Sequence, residues 1–259
     1  MSDWAQIKEN KKVGEGIYRL RLEAPAIAAS ARPGQFIMLR VSHGLDPLLA
    51  RPFSIHGVEG DDLLILYKVV GKGTKLLSLK RPGNKTLSLW GPLGRGFDLE
   101  VERPILVGGG MGMAPLKFAA DTMLKQGRRV TIISGAATKS SLVGGVEYVE
   151  RYMNTDLIDS VVTTDDGSEG LHGLITSPLM QYLSKAGCVL ACGPMPMLKA
   201  VALICAERQV PCQVSLEAPM ACGLGACLGC VIPATGGGYL RACQEGPVLK
   251  AELVDWDRL

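Results

Sequence analysis

Large aromatic residues are scarce in this chain, with four Phe and three Trp among 259 residues. That scarcity argues against a surface on which successive nucleic-acid bases would stack. An excess of charge of one sign is also lacking. Lys and Arg number 28 against 25 Asp and Glu, a formal net charge of +3. So small an excess supplies neither a footprint for a phosphate backbone nor attachment to an anionic membrane surface. The one uncharged run of that length, residues 218–240, is broken by Pro219, Pro233 and six glycines, unlike the predominantly apolar stretch of roughly 20 residues that a bilayer-spanning helix needs. The stretch Met1-Ser-Asp-Trp-Ala-Gln-Ile-Lys8 has no apolar core of a secretion signal. The eight cysteines are therefore expected to be reduced and the protein cytoplasmic. Internal repeats, low-complexity tracts, H-E-x-x-H and G-x-S-x-G are all missing. His43, His56 and His172 are scattered and read as non-ligands, and Asp165-Asp166-Gly167 reads as a turn.

The chain does concentrate cysteine in one place. Cys222, Cys227 and Cys230 follow C-x4-C-x2-C, and Cys243 comes after twelve intervening residues. The first three have the spacing of plant-type [2Fe–2S] ligation. A structural zinc site is the alternative, although zinc ribbons more often show two C-x2-C knuckles. Glycines at 223, 225 and 229 let the loop wrap tightly and aim backbone N–H groups at a cluster. A cluster here would make the protein a carrier of single electrons. The flanks Pro219-Met220, Leu224, Leu228 and Val231-Ile232 are neutral and apolar. They suit either a covering partner or packing against the chain's own domains. Cys188, Cys192, Cys205 and Cys212 lie in apolar segments, where buried small hydrophobes are the ordinary reading.

Pattern divides the chain into three units. Residues 1–100 read as short strands and turns. Strands are expected at 16–23, 35–41, 53–58, 62–69 and 86–90, with Pro33-Gly34 and Pro82-Gly83 as turns. That spacing predicts an antiparallel β-barrel. Over residues 101–216, strands at 105–107, 130–134, 188–192 and 213–216 alternate with helices at 116–126 and 196–207. Alternation of this kind predicts a parallel α/β nucleotide-binding domain. Residues 217–259 form a small C-terminal iron–sulfur segment, too short for a core of its own, so a metal site is expected to hold it together.

Several short motifs carry chemistry. Arg51 in Arg51-Pro52-Phe53-Ser54 could grip a pyrophosphate bidentately, and Ser54 could bond a flavin edge. The plainer reading is an exposed Arg before an edge-strand proline. Leu66-Tyr67-Lys68 is a strand, and Gly73 and Thr74 lie in a glycine turn that could present phosphate donors if a helix starts nearby. Gly108, Gly109, Gly110 and Gly112 sit between a strand and a helix, where a dinucleotide phosphate binds. Met113 breaks the G-x-G-x-x-G fingerprint, so close strand–helix packing competes with that reading. Cys192-Gly193-Pro194 ends another strand; its thiol either touches a nicotinamide or is simply buried.

In this order, Arg-Pro-Phe-Ser, Gly-Lys-Gly-Thr, Gly-Pro-Leu-Gly, Gly-Gly-Gly-Met-Gly-Met-Ala-Pro and Cys-Gly-Pro-Met-Pro-Met resemble the ferredoxin–NADP reductase superfamily across essentially the whole chain. Cys222-Gly-Leu-Gly-Ala-Cys-Leu-Gly-Cys230 with Arg-Ala-Cys243-Gln-Glu-Gly-Pro247 is similar to the electron-transfer subunits of type B dihydroorotate dehydrogenases. The resemblance implies FAD in the barrel, held by Arg51, Pro52, Phe53, Ser54, Leu66, Tyr67 and Lys68, with Gly73 and Thr74 on its phosphates. It implies NAD, as substrate, at the 108–112 loop and Cys192-Gly193-Pro194, and a [2Fe–2S] cluster on Cys222, Cys227, Cys230 and Cys243. Phe53 stands where the superfamily often has Tyr, which removes a hydroxyl contact and keeps the apolar cover. Cys222 stands where the related subunit of a bifurcating ferredoxin–NADP reductase tends to have Asp. The implied activity is oxidation of dihydroorotate with NAD⁺ as terminal acceptor, in pyrimidine biosynthesis. Electrons would arrive from the FMN of a separate catalytic subunit, pass through the cluster to FAD, and leave as hydride. Three units leave no room for the roughly 250-residue barrel of that catalytic subunit. A heterotetramer with two copies of each chain is implied. The other readings are a reductase subunit serving a hydrogenase or ferredoxin-linked complex, and a zinc-stabilised nucleotide-binding protein.

Overall fold

A computed structural model describes residues 3–42, 44–83, 85–143 and 156–259; His43 lies outside them. The first half is a closed six-stranded barrel. Its strands are β1 (Asp3–Gly14), β2 (Ile17–Glu23), β3 (Phe36–Arg40), β4 (Arg51–Glu59), β5 (Asp62–Lys68) and β6 (Lys85–Leu93), in the order β1-β2-β5-β4-β3-β6. Every neighbouring pair is antiparallel. Period-2 alternation does the work: Leu20 and Leu22, Ile37 and Leu39, Leu63 and Ile65, Leu87 and Leu89 all point into one barrel core. Short helices α1 (Pro25–Ala28) and α2 (Lys72–Ser78) lie in the connections.

The second half is a sheet with helices between its strands. In chain order come β7 (Pro104–Gly109), α3 (Met113–Lys125), β8 (Val130–Ala136), β9 (Ile158–Thr164), β10 (Leu171–His172), α4 (Thr176–Tyr182), β11 (Cys188–Cys192), α5 (Met195–Glu207) and β12 (Cys212–Ser215). The sheet order is β10-β9-β8-β7-β11-β12, all parallel. Strands β7 and β11, buried along their whole length, are the near-continuous apolar runs that a sheet covered on both faces requires. The strand order reverses between β7 and β11, and in an open α/β sheet ligands bind beyond the carboxyl ends at that point.

The C-terminal segment folds as a hairpin, β13 (Val231–Pro233) and β14 (Tyr239–Arg241), followed by β15 (Val248–Lys250). Strand β15 adds antiparallel to β12 and becomes the seventh strand of the sheet. Cys230, Ile232, Ala242, Cys243, Leu249, Ala251 and Val254 belong to the same buried core as Val107, Ala191 and Leu198. This corrects the expectation that a metal site alone would hold the segment. It borrows the α/β core and completes a sheet edge.

Candidate functional site

Two clefts and one cysteine loop adjoin one another. The first cleft, about 330 Å³, opens between the barrel and the sheet. Arg51, Pro52, Phe53, Ser54, Leu66, Tyr67, Lys68 and Thr74 line it from the barrel side. The fold joins two motifs that are separate in sequence: Gly73 sits directly beneath the Arg51 guanidinium, where any Cβ would overlap it. Arg51 is steadied by donating to the Leu49 carbonyl. A guanidinium over the first turn of α2 is suited to an anionic group, since first-turn N–H groups have no partner inside a helix. The Thr74 hydroxyl is already engaged. It accepts from Val70 N–H at 2.9 Å and Gly71 N–H at 3.2 Å, and donates to Gly71 O at 3.0 Å, so it caps α2. Phe53 meets Tyr67 edge-on at 5.9 Å. Tyr67 donates its hydroxyl to Asn10 Oδ1 at 3.0 Å, and burial drives its pKa well up, so it acts as a neutral wall.

The far wall of this cleft was not foreseen in the sequence. It consists of Ala114 and Pro115 at the start of α3, residues 215–218, Met220 and Pro247. Residues 215–220 lead straight from the end of β12 into the cysteine loop. The available signal was positional: they follow the carboxyl end of a sheet strand.

The second cleft, about 310 Å³, lies over the switch point. Gly109, Gly110 and Pro194 line it, together with Met197, Gly135, Ala136, Ala137, Ser141 and Asp165. Gly112 does not line it. This glycine packs on the end of β11, where a Cβ would overlap the Cys192 carbonyl and the Gly193 nitrogen. Gly108 packs under Met113. Cys192 lines neither cleft; it is 3 % exposed, and burial pushes its thiol up to about 12. Small residues at the end of β8 and Asp165 at the end of β9 were the signals missed here. Lys68 and Met111 line both clefts, so occupants of the two would meet at that seam.

The cysteine loop stands beyond the far wall. Cys230 and Cys243 are buried with their sulfurs 3.2 Å apart, while Cys227 is exposed. Cys222 interacts with Cys227, so the quartet falls into two pairs. Among the described residues no three Cys, His, Asp or Glu side chains converge on a single ion, whereas a two-iron cluster takes its four cysteines over two metals. Backbone donors face the sulfurs: Leu224 N–H reaches Cys222 at 3.3 Å and Gly225 N–H reaches Cys243 at 3.1 Å. Hydrogen bonds from Leu224 and Cys227 N–H lower Cys222 to about 6, so its thiolate is ready to ligate. Burial and the neighbouring Cys230 raise Cys243 to about 11, which a bound metal would reverse. Arg241 braces both loops. It pairs with Glu245 at 2.6 Å and donates to Gly225 O at 3.3 Å, and the ion pair holds Glu245 down at about 2. The donor set of four thiols and inward N–H groups fits an iron–sulfur cluster. Tyr67, the Arg51 guanidinium and the apolar far wall fit a flavin nucleotide.

Comparison with known proteins agrees with this layout. Residues 217–255 match the iron–sulfur cluster binding domain of dihydroorotate dehydrogenase B, and residues 106–202 match an oxidoreductase NAD-binding domain. The dihydroorotate dehydrogenase B (NAD(+)) electron transfer subunit of Desulforamulus reducens is 38 % identical over 254 residues, covering 95 % of each chain. Its counterpart in Caldanaerobacter subterraneus is 39 % identical, over 96 % of this chain and 97 % of that one. A solved NADH-dependent reduced ferredoxin-NADP oxidoreductase, studied for flavin-based electron bifurcation, superposes with a TM-score of 0.87 at 32 % identity, over 99 % of this chain and 91 % of that one. The FAD/NAD-binding domain of a Vibrio cholerae nitric oxide dioxygenase, 19 % identical with a TM-score of 0.73 over 85 % of this chain and all of its own, shares the fold. Barrel, switch-point sheet, paired cysteines and these relatives converge: the chain belongs to the family of electron-transfer subunits of dihydroorotate dehydrogenase B.

Proposed function

We propose that this protein carries electrons from a dihydroorotate-oxidising partner subunit to NAD⁺, in pyrimidine biosynthesis. The observation that carries the reading is the sequence of sites in space. The cysteine loop adjoins the first cleft through Met220 and Pro247, and the first cleft adjoins the second through Lys68 and Met111. A one-electron site, a flavin-sized cleft and a dinucleotide cleft thus stand in a row. A flavin supplies the conversion between one-electron and hydride chemistry, because NAD accepts only a hydride.

The residues have these proposed roles. Arg51, with the first turn of α2 at Gly73 and Thr74, binds the FAD phosphates. Pro52, Phe53, Ser54, Leu66, Tyr67 and Lys68 form the barrel wall against FAD. Gly109, Gly110 and Pro194 shape the NAD cleft, while Gly108, Gly112, Cys192 and Gly193 pack the switch point beneath it. Cys222, Cys227, Cys230 and Cys243 ligate the [2Fe–2S] cluster. No general base is assigned, since this subunit orients carriers and excludes water. The three units are residues 1–100, 101–216 and 217–259, the last fused to the sheet of the second.

Among the described residues no helix is long and apolar enough to cross a membrane. Relatives named as electron transfer subunits imply a separate catalytic subunit. We assign that subunit an FMN, two copies of each chain, and a cytoplasmic setting. Leu224, Leu228 and Val231 stand exposed beside the cysteine loop and supply apolar surface for it to cover. The test is affinity capture of this chain from its own cells. The expected complex contains a dihydroorotate-oxidising flavoprotein, is brown-yellow, and forms orotate with reduction of NAD⁺. Capture of a hydrogenase subunit, or a colourless zinc protein, overturns the proposal.

A further inference from the structure

The cysteine loop is tied to the barrel by a tryptophan. Trp90, on β6, donates its indole N–H to the Cys222 carbonyl at 3.1 Å. Trp90 lies opposite Met38 of β3 in the strand register. Gly223 comes down on the same spot: a Cβ there would lie 2.6 Å from Met38 Cγ and 3.0 Å from Leu93 Cδ1. The loop's bonds from Gly225 N–H to Cys243 Sγ and from Arg241 to Gly225 O both stay within the C-terminal segment. They do not fix it against the barrel.

Strand β3 explains why this placement matters. Its side chains alternate: Ile37 and Leu39 enter the barrel core, whereas Phe36 and Met38 enter the core shared with the sheet and the C-terminal segment. Phe36 lines the first cleft. Met38 is the next residue on the same strand face, roughly 7 Å further along. One strand face therefore walls the flavin cleft and seats the first cysteine.

We infer that Trp90 is a positioning residue that pins the Cys222 loop onto the β3–β6 wall, fixing the environment of the cluster and its placement relative to the flavin cleft. The inference rests on reading the four cysteines as cluster ligands. Removing one directional hydrogen bond while keeping an aromatic ring leaves the ligands present and their loop loosely held.

The experiment compares Trp90→Phe with the unaltered protein, both isolated with cluster and FAD. Trp256→Phe is the control, because Trp256 donates an equivalent bond to Ala251 O at 2.9 Å within the C-terminal segment. In Trp90→Phe, iron and FAD per chain should match the unaltered protein. The electron paramagnetic resonance spectrum of the reduced cluster should shift or broaden, and cluster absorbance should be lost to a chelator about fivefold faster. Trp256→Phe should leave both readouts unchanged. Gly223→Ala, which lifts the same loop off Met38 from the other side, should reproduce the Trp90→Phe signature and serves if that variant does not fold. An unchanged spectrum and unchanged chelation rate in Trp90→Phe, or in Gly223→Ala where it serves instead, overturn the inference. A missing cluster signal in the unaltered protein instead rejects the ligand assignment beneath it.

Discussion

An alanine at residue 73 would meet the Arg51 guanidinium, and the consequence separates binding from folding. Gly73 lies in the first turn of α2 without a left-handed backbone, so alanine suits the helix there. The nearest atoms in the way belong to the flexible end of a half-buried arginine, which can swing aside. Gly73→Ala should therefore leave the melting temperature unchanged or raise it, helix propensity contributing up to ~1 kcal/mol. Displacing the guanidinium should cost FAD about 1.5–3 kcal/mol, the range for a hydrogen bond to a charged group, or at least tenfold in affinity. A fluorescence titration of FAD beside a thermal melt checks both halves. Equal FAD affinity in the variant would remove Arg51 from the phosphate site. At this scale the sequence was legible in part. Arg51 and Gly73 each stood out, but only the closed barrel puts one over the other. The Thr74 hydroxyl looked like a phosphate donor because a local capping bond cannot be told from a ligand bond in four letters. Cys192 was read as either a ligand contact or core, and burial places it in the core.

The junction of β7, α3 and β11 depends on close backbone approach. At Gly112 a Cβ would overlap backbone atoms of Cys192 and Gly193, which cannot rotate away. Gly112→Ala should thus cost about 3 kcal/mol or more, a core-overpacking penalty, where Gly73→Ala costs none. Denaturant melts of the pair test that contrast. A second brace joins β4 to the same helix: His56 Nδ1 lies 2.9 Å from Ala114 O, with the ring 4 % exposed. Burial, with Lys117 nearby, lowers His56 from 6.5 to about 4. The unfolded chain then takes up a proton that the folded chain refuses, so stability falls as pH drops from about 6.5 towards 4. Between pH 7 and about pH 5 the loss is about 2 kcal/mol. His56→Gln, which has no such proton to take up, should show a flatter stability profile by that amount. Elements with apolar periodicity were legible, as β2, β5, β7 and α3 illustrate. Strand β1 was not, because Ala5 and Ile7 are the residues it gives to the barrel core and the stretch after them is mostly polar or charged. Strand β15 was hidden for another reason: three residues carry no period, and only the exposed edge of β12 makes them a strand.

For the molecule as a whole, the question is what holds the last forty or so residues in place. A segment that owes its fold to metal unfolds when metal is removed, as zinc fingers do. Here Ile232, Leu249 and Val254 are buried in the core of the α/β half, and burying three such side chains contributes roughly 5 kcal/mol or more. Strand β15 adds paired backbone along β12, and Arg241 with Glu245 ties the turn that carries Cys243. The cluster is thus free to serve electron transfer alone. Stripping iron with a chelator should remove the visible absorbance and leave β15 protected in hydrogen exchange, with only the loop at 221–229 opened. The Cys222→Ser variant should behave likewise, losing the cluster while retaining FAD, because Met220 and Pro247 still wall the cleft. Truncation before Glu217 should do the opposite. It exposes the β12 edge and the core beneath it, so the shortened chain should aggregate and release FAD. If iron removal instead freed the whole C-terminal segment to proteolysis near Glu217, the metal would be the staple and the shared core incidental.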